Sequence, residues 1–298
     1  DDQSEGVAAG IEKACEAAGV DPESVTEFSH AMTVSVNALL ENDGARTALV
    51  TTEGFRDVLE IGRQTRPSLY DLDAEKPAPL VPRRRRFEVP ERATADGVER
   101  PVEDEAIDSL VADLRDADVE SVAVCLLHAY AHSENEEHVA EALRGALDVP
   151  VSASHEVLPE FREYERTSTT VVDAYVRPAI DGYVGRLTER ARDLGLPQPK
   201  IMQANGGVTD AGTVRRNAVT TVLSGPAAGV VGASATAGAD ADREGLITFD
   251  MGGTSSDVSL VRDGEVERTT ESAIADRPIG TPMVDVETVG AGGGSIAW

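Results

Sequence analysis

The chain has 298 residues, of which 41% are hydrophobic, enough to bury the cores of about two domains. Its formal charge of −27, from 54 acidic and 27 basic residues, disfavours nucleic acid and anionic membranes as partners because both are negatively charged. Such an acidic surface is typical of a protein that stays soluble in concentrated intracellular salt. We therefore expect a halophilic cytoplasmic protein whose stability rises with KCl.

The first elements are short and alternate in type. Apolar spacing predicts amphipathic helices over residues 5–19 and 33–42, the first of which ends at Gly19. A short apolar strand follows at 48–51, and 54–62 predicts one or two helical turns. Cys15 and Cys125 form no C-x-x-C pair, which fits a reducing compartment.

The middle of the chain predicts one α/β unit. Residues 64–102, rich in Pro and Arg, predict a long irregular connection; its arginine run, 83–86, is expected in a solvated loop that pairs with nearby acids. A helix over 104–117 and an apolar strand over 121–127 follow. Ser133-Glu-Asn-Glu136 predicts a capping box that opens a helix reaching about residue 147. This order of elements is typical of an α/β fold.

A second unit begins near Tyr164. Apolar residues recur at steps of three or four and predict a long helix that ends before Gly195 and is kinked by Pro178. Residues 201–207 predict a strand that enters a glycine turn. Pro226 behind Ser224 predicts a helix start, where free N–H groups can hold an anion.

The segment 246–264 carries the most specific chemistry. It predicts a buried strand over 246–249, with Asp250 at its end, and a returning strand over 258–261 that leads to a tight turn. Gly252 and Gly253 lack a Cβ, so their backbone N–H groups can approach phosphate oxygens. Thr254 and Ser255 add hydroxyl donors.

Asp250 and Asp257 would repel phosphate directly, so their presence predicts a divalent cation, Mg²⁺, between carboxylate and phosphate. The glycines are not followed by Lys-Ser/Thr, as in a P-loop, or by a helix, as in a dinucleotide fold. A ligand-free hairpin turn remains an alternative. A second glycine loop, able to admit a ligand against its backbone, ends at Ser295.

Several stretches in order along the chain resemble the hydantoinase A / 5-oxoprolinase family, part of the actin-like ATPase superfamily of sugar kinases and Hsp70-type proteins. The stretches are residues 33–40, 45–64, 157–170, 201–208, 223–233, 247–259 and 288–298. The resemblance covers nearly the whole chain and is specific for the family rather than for a substrate.

The resemblance implies two ribonuclease-H-like α/β domains, with mixed sheets flanked by helices and ATP in the cleft between them. Residues 1–164 would form the N-terminal-type domain and residues 165–298 the ATPase domain. The implied activity is ATP-dependent hydrolysis of a cyclic amide, a hydantoin or 5-oxoproline, with a hydantoinase B-type partner. Some family relatives carboxylate ketones, which leaves an ATP-dependent ketone carboxylase as an alternative.

On the same resemblance, Asp250 and Asp257 organise the metal and the attacking groups. Phosphate would be held by Gly252, Gly253, Thr254 and Ser255. The nucleotide or substrate cleft would be lined by Gly292, Gly293, Gly294 and Ser295, with Asn205, Gly206 and Gly207.

The chain departs from the family pattern in several places. Residues 1–30 hold nothing like the family's opening strand-Asp-x-Gly-Gly-Thr loop, so we expect the first strands to be missing. Family members continue beyond the position of Trp298 with further glycine-rich segments, so we expect the second domain to be incomplete. A non-catalytic family fragment is therefore a further alternative. The family's His-Thr-Val-Gly reads Glu287-Thr-Val-Gly290 here. Glu287 would keep a metal-binding role but would alter a proton-transfer role.

The histidines give weaker signals. His128, His132 and His138 leave a strand and enter a helix rather than share one helical face, which argues against a zinc site. His30 is open between a substrate contact and a capping or interface role. The run Tyr164-Glu165-Arg166 is open between an interdomain salt-bridge cluster and a substrate contact.

Overall fold

The structure is a computed structural model that describes residues 2–71, 73–237, 245–253 and 255–296. Its helices are α1 Gln3–Ala18, α2 Val34–Leu40, α3 Val58–Ile61, α4 Asp104–Asp116, α5 Glu134–Ala146, α6 Ser154–Val157, α7 Glu163–Asp193, α8 Ala211–Arg216 and α9 Ser224–Ala237. Its strands are β1 Ser29–His30, β2 Thr47–Thr52, β3 Arg86–Val89, β4 Arg92–Thr94, β5 Gly97–Arg100, β6 Ser121–Cys125, β7 Val151–Ala153, β8 Lys200–Met202, β9 Val208–Asp210, β10 Gly245–Met251, β11 Ser256–Arg262, β12 Glu265–Val266, β13 Arg268–Thr269, β14 Ser272–Ile274, β15 Arg277–Ile279, β16 Met283–Val284 and β17 Glu287–Val289. This mixed α/β fold, with parallel and antiparallel sheets flanked by helices, confirms the predicted fold class.

The first half is built on a parallel sheet with the strand order β3-β2-β6-β7. Both faces are covered, which explains why its strands are apolar at nearly every position. Val50, Val122 and Val124 face α4 and α5, whereas Leu49 and Ala123 face α7.

Helix α7 connects two cores. Near its start, Val171 and Ala174 pack on the parallel sheet. Farther along, Val176, Ile180 and Leu187 belong to a second core, which also includes residues of α2, β8 and the segment before α9. The predicted long helix is confirmed, and Pro178 lies inside it.

A second sheet carries the glycine-rich segments. β10 and β11 form the predicted antiparallel hairpin, and β12 and β17 also pair with β11. Helix α9 covers one face, where Ala227 and Val230 pack with Val261.

On the other face of this sheet, the apolar side chains of β10 are exposed within the described part of the chain, which corrects the prediction of a buried strand at 246–249. Ile247, Phe249 and Met251 are 67%, 59% and 56% exposed. They point to the same side because side chains alternate along a strand. An apolar strand pattern therefore does not establish that both faces of the strand are covered.

The prediction of an irregular connection over 64–102 is wrong for its second half, which forms β3, β4 and β5. Arg83 pairs with Asp57, as expected for pairing with nearby acids. Arg86, however, is buried in β3, where its guanidinium donates to Glu60 and to the Val81 carbonyl. The last arginine of the run can therefore be buried in a strand, because hydrogen-bond acceptors are available for its guanidinium.

The predicted capping box is also wrong. Ser133 precedes α5, but its hydroxyl donates to Glu137 instead of capping a backbone N–H. Glu136 is fully buried and accepts from the Leu126 N–H, from Ser154 and from His155. The glutamate therefore ties together the ends of β6 and β7.

The end of the first helix is confirmed: Gly19 caps α1 in the left-handed conformation, with φ of 63°. No helix in the described part of the chain is long and apolar enough to cross a membrane.

Candidate functional site

A row of polar side chains crosses the second sheet. Asp250 on β10 lies directly opposite Asp257 on β11, and Asp257 lies directly opposite Thr288 on β17. Opposite residues of antiparallel strands share a face, with Cβ atoms about 4.5–5.5 Å apart. Like charges so placed destabilise a sheet unless a cation lies between them.

Thr288 orients one of these carboxylates. Its Oγ1 donates to Oδ1 of Asp257 at 2.7 Å, which fixes the rotation of the carboxylate. The sequence reasoning missed Thr288 and considered its neighbour Glu287 instead. Glu287 lies opposite Val258, so alternation places it on the other face of the sheet from Asp257. The register of β17 against β11 identifies Thr288, and the sequence alone does not give that register.

Helix α9 forms the wall facing the carboxylates. A cavity of about 210 Å³ lies between the helix and the hairpin, and both aspartates line it. The helix contributes Pro226, Gly229 and Ala233 to this cavity. A Cβ on Gly229 would lie 3.5 Å from Oδ2 of Asp250, so the helix backbone approaches the carboxylate closely. These small residues leave the space beside the carboxylates open.

The two glycine loops interlock. The N–H of Gly293 donates to the carbonyl of Gly252 at 2.9 Å, and the N–H of Gly294 donates to that of Gly253 at 2.8 Å. A Cβ on Gly294 would lie 2.9 Å from the Gly253 carbonyl oxygen, too close for any residue but glycine. Two segments separated by about 40 residues in the sequence thus become one structure beside the aspartates.

This interlocking uses several of the predicted donors. The N–H groups of Gly252 and Gly292 donate to the Ser255 carbonyl and to the Ser295 hydroxyl. The N–H groups of Gly293 and Gly294 donate to backbone carbonyls of the other glycine loop. In this arrangement a phosphate would be reached chiefly through a cation on the carboxylates rather than through these glycine N–H groups. Thr254 lies outside the described residues.

The third glycine turn lies elsewhere. The N–H of Gly207 donates to Oδ1 of Asn205, and the Asn205 carbonyl accepts from Arg268. A Cβ on Gly206 would lie 3.0 Å from Val231, which belongs to α9. The turn therefore supports the helix rather than joining the interlocked loops.

The histidines have separate surroundings. Nε2 of His30 lies 2.8 Å from the Tyr183 hydroxyl, and burial lowers the pKa of His30. His132 contacts the Ala95 carbonyl, and His138 contacts Asp104. The sequence leaves His30 open between a substrate contact and a capping or interface role. Its contact with Tyr183 on α7 matches the interface role.

The donor set fits Mg²⁺ better than a transition metal. No group of three or more His, Cys, Asp or Glu residues suited to a metal occurs in the described ranges. Two carboxylates beside an open cavity suit Mg²⁺, which usually takes one or two carboxylates, keeps several waters and binds substrate phosphates. Asp250 and Asp257 would therefore hold it.

Sequence profiles of two family regions match the chain. The profile described as hydantoinase/oxoprolinase N-terminal region matches residues 1–147. The profile described as hydantoinase/oxoprolinase matches residues 166–298.

Curated relatives include enzymes that act on cyclic amides. The chain is 38% identical to caprolactamase subunit alpha of Pseudomonas jessenii, covering 89% of this chain and 39% of that protein. It is also 38% identical to 5-oxoprolinase 1 of Arabidopsis thaliana, covering 88% of this chain and 22% of that protein. The chain thus spans less than half the length of these relatives.

Two solved structures share the fold. The ATP-dependent caprolactamase from Pseudomonas jessenii superposes with a TM-score of 0.85 at 35% identity. A nucleotide-free acetone carboxylase gives the same TM-score at 25% identity. Each covers 97% of this chain, which corresponds to 43% of the larger chain.

Proposed function

The chain belongs to the hydantoinase/oxoprolinase family, and on that premise we propose that it carries the nucleotide site of an ATP-dependent hydrolase of cyclic amides. The relatives named 5-oxoprolinase and caprolactamase support this reaction class, because 5-oxoproline and caprolactam are both cyclic amides. The proposed substrates are 5-oxoproline, a lactam or a hydantoin.

The chemistry follows from the weakness of the amide as an electrophile. Transfer of the γ-phosphoryl group of ATP to the amide oxygen would activate the carbonyl carbon toward water. Attack by water would give a tetrahedral adduct whose collapse breaks the ring C–N bond and frees the amine, and a second water would hydrolyse the remaining acyl phosphate to a carboxylate and phosphate. Such transfer depends mainly on positioning and on stabilising charge. Mg²⁺ would neutralise charge on the phosphates when bound. Asp250 and Asp257 would hold the ion, and Thr288 would fix the orientation of Asp257.

One observation carries the proposal: Asp250 and Asp257 are directly opposite each other on paired strands, they line one cavity, and they lie next to the interlocked glycine loops. Like charges directly opposite each other destabilise a sheet, and a cation bound between them would offset that repulsion. We therefore propose that the nucleotide phosphates lie at this cavity, with Ser255 and Ser295 beside them.

The proposed partner is a hydantoinase B-type subunit or domain. In support, one relative is named as a subunit alpha, which implies a further subunit in that enzyme. The proposed setting is a salt-rich cytoplasm, in line with the charge of −27.

Calorimetric titration of the chain with Mg²⁺-ADP in molar KCl tests the site. We expect saturable binding that requires Mg²⁺ and that Asp250→Asn weakens at least tenfold. Asp263→Asn, in the turn at the other end of the same hairpin, is the matched control and should bind normally. Equal binding by Asp250→Asn and the unmodified chain would refute the role of Asp250.

Phosphate release from Mg²⁺-ATP, measured with the partner present, tests the reaction. Stimulation by 5-oxoproline, a hydantoin or a lactam would support hydrolysis. The second candidate is a subunit of an ATP-dependent ketone carboxylase, favoured by the acetone carboxylase structure, whose TM-score equals that of the caprolactamase. ATP turnover that needs both a ketone and bicarbonate would identify that alternative.

A further inference from the structure

The parallel sheet contains a topological switch point far along the sequence from the glycine loops. The chain passes from β2 to β3 on one side of β2 and then to β6 on the other side. In open α/β sheets of this kind, ligands bind at the carboxyl ends of the strands beside the switch. Here that edge is formed by Thr52 at the end of β2 and by residues 126–130 after β6.

A buried cation lies at this edge. Arg166, near the start of α7, is 1% exposed. Its Nη2 donates to the Leu126 carbonyl at 2.7 Å, whereas its buried Nε and Nη1 have no hydrogen-bond partner among the described residues. A buried guanidinium whose N–H donors lack partners is costly, which points to an acceptor that the described residues do not supply.

A second unsatisfied group lies on the segment that follows β6. Nδ1 of His128 is buried and has no partner among the described residues. His128 has φ of 55°, a left-handed conformation that is uncommon for any residue but glycine and is often found at functional sites. Both groups flank Tyr130: its ring centroid lies 5.3 Å from Cζ of Arg166 and 6.0 Å from that of the His128 ring.

The buried carboxylate of Glu136, at the end of β6, is already engaged. Glu136 accepts from the Leu126 N–H, from the Ser154 hydroxyl and from both the N–H and Nδ1 of His155. The backbone of Leu126 therefore lies between Glu136 and Arg166. Its N–H donates to Glu136, and its carbonyl accepts from Arg166.

We propose that Arg166 and His128 form a binding site for a small oxyanion, a carboxylate or a phosphate, beneath the ring of Tyr130. Nε or Nη1 of Arg166 donates to the anion, and Nδ1–H of His128 supplies a second donor. Tyr130 is only half-buried, so rotation of its side chain gives the anion access from solvent. The site is independent of Asp250 and Asp257.

Thermal unfolding of the full chain tests the site, with acetate, bicarbonate or phosphate replacing chloride at constant ionic strength. We expect a saturable rise in Tm, as for any ligand that binds only the folded state. A response to acetate and bicarbonate alone identifies the ligand as a carboxylate-type anion, and a response to phosphate alone identifies a phosphate. A Tm that follows ionic strength only, whatever the anion, would overturn the proposal.

Arg166→Met removes the charge but keeps the length of the side chain. We expect it to abolish the saturable response. Arg190→Met is the matched control because Arg190 lies on the same helix and pairs with Asp2 and Glu5 at the surface. Its variant should keep the response, and a response retained by Arg166→Met would contradict the proposal.

Tyr130→Ala gives a test that does not depend on replacing Arg166. Removing the ring should open Arg166 to modification by phenylglyoxal, followed by peptide mass spectrometry. We expect a saturating concentration of the anion that raises Tm to slow this modification at least tenfold, while modification of Arg190 is unchanged. Equal rates at Arg166 with and without the anion would rule out the site.

Discussion

The parallel sheet β3-β2-β6-β7 and the hairpin sheet of β10, β11 and β17 are supported in different ways. Helices cover both faces of the parallel sheet, and its central strands are wholly buried. The hairpin sheet has α9 on one face and exposed apolar side chains on the other. The proposed catalytic carboxylates thus lie in the less supported sheet, so mutations there should affect ligand binding more than stability.

The largest effect should come from Glu136→Ala in the parallel sheet. The change leaves the buried Leu126 N–H, Ser154 and His155 without their acceptor, and we expect a loss of about 3–5 kcal/mol in the free energy of unfolding. Urea unfolding in molar KCl measures it. Glu136→Gln, which keeps the shape and one acceptor oxygen, should cost clearly less; equal losses would mean that packing alone is responsible.

A matched pair of apolar truncations compares the two sheets directly. Leu143→Ala, in the core beside the parallel sheet, should lower the free energy of unfolding by about 2–5 kcal/mol. Phe249→Ala, on the bare face of β10, should change it by no more than about 0.5 kcal/mol. Similar losses for both variants, measured by urea unfolding, would show that the hairpin face is covered in solution.

The interlocked glycine loops should be sensitive to a single methyl group. Gly294→Ala places a Cβ against the Gly253 carbonyl, so the loops must separate, with a cost of about 1–3 kcal/mol. We also expect weaker Mg²⁺-ADP binding in calorimetry. Gly290→Ala is the control, because a Cβ there meets nothing within 4 Å. If both variants bind alike, the loop contact does not shape the site.

Thr288→Val should have a smaller effect on stability, about 0.5–1.5 kcal/mol for one lost hydrogen bond. Because Asp257 then loses its fixed orientation, we expect the Mg²⁺ requirement of ADP binding to rise several-fold. Thr288→Ser keeps the hydroxyl and should restore normal binding. A serine variant as weak as the valine variant would assign the effect to packing.

The smallest effect should be a dependence on pH in the parallel sheet. The hydrogen bond with Glu136 raises the pKa of His155 above its usual value. A raised pKa in the folded state stabilises the fold fully below the unfolded pKa of about 6.5. That stabilisation is lost as the pH rises through the folded pKa. The urea midpoint should therefore fall over this range, and His155→Gln should flatten the slope; an unchanged slope would exclude His155 as its source.

Local patterns predicted the elements that depend on neighbouring residues. The face of α7 followed from apolar spacing, the end of α1 from Gly19, and the hairpin from the turn at Asp263 and Gly264. Failures came where long-range partners decide the structure. Arg86 is buried because Glu60 and the Val81 carbonyl accept from it. Glu136 leaves the capping role because β6 and β7 offer it donors.

The candidate site divides in the same way. The sequence indicated Asp250, Asp257 and both glycine loops, because carboxylates and glycines at those spacings have chemical meaning by themselves. It gave no sign that the loops pair with each other, that Thr288 orients Asp257, or that the turn at Asn205 supports α9 instead. Those relations depend on the register of β17 against β11 and on the packing of α9.

The sequence by itself determined the family, the fold class and the positions of the proposed phosphate chemistry, since all three are encoded in local runs of residues. Only the tertiary structure decided which polar groups find partners. Glu136 accepts hydrogen bonds at both carboxylate oxygens. Among the described residues, Arg166 and His128 have buried nitrogens without a partner, and apolar side chains on one face of β10 are exposed. Burial and hydrogen bonding are set by residues distant in the chain, and no local pattern records them.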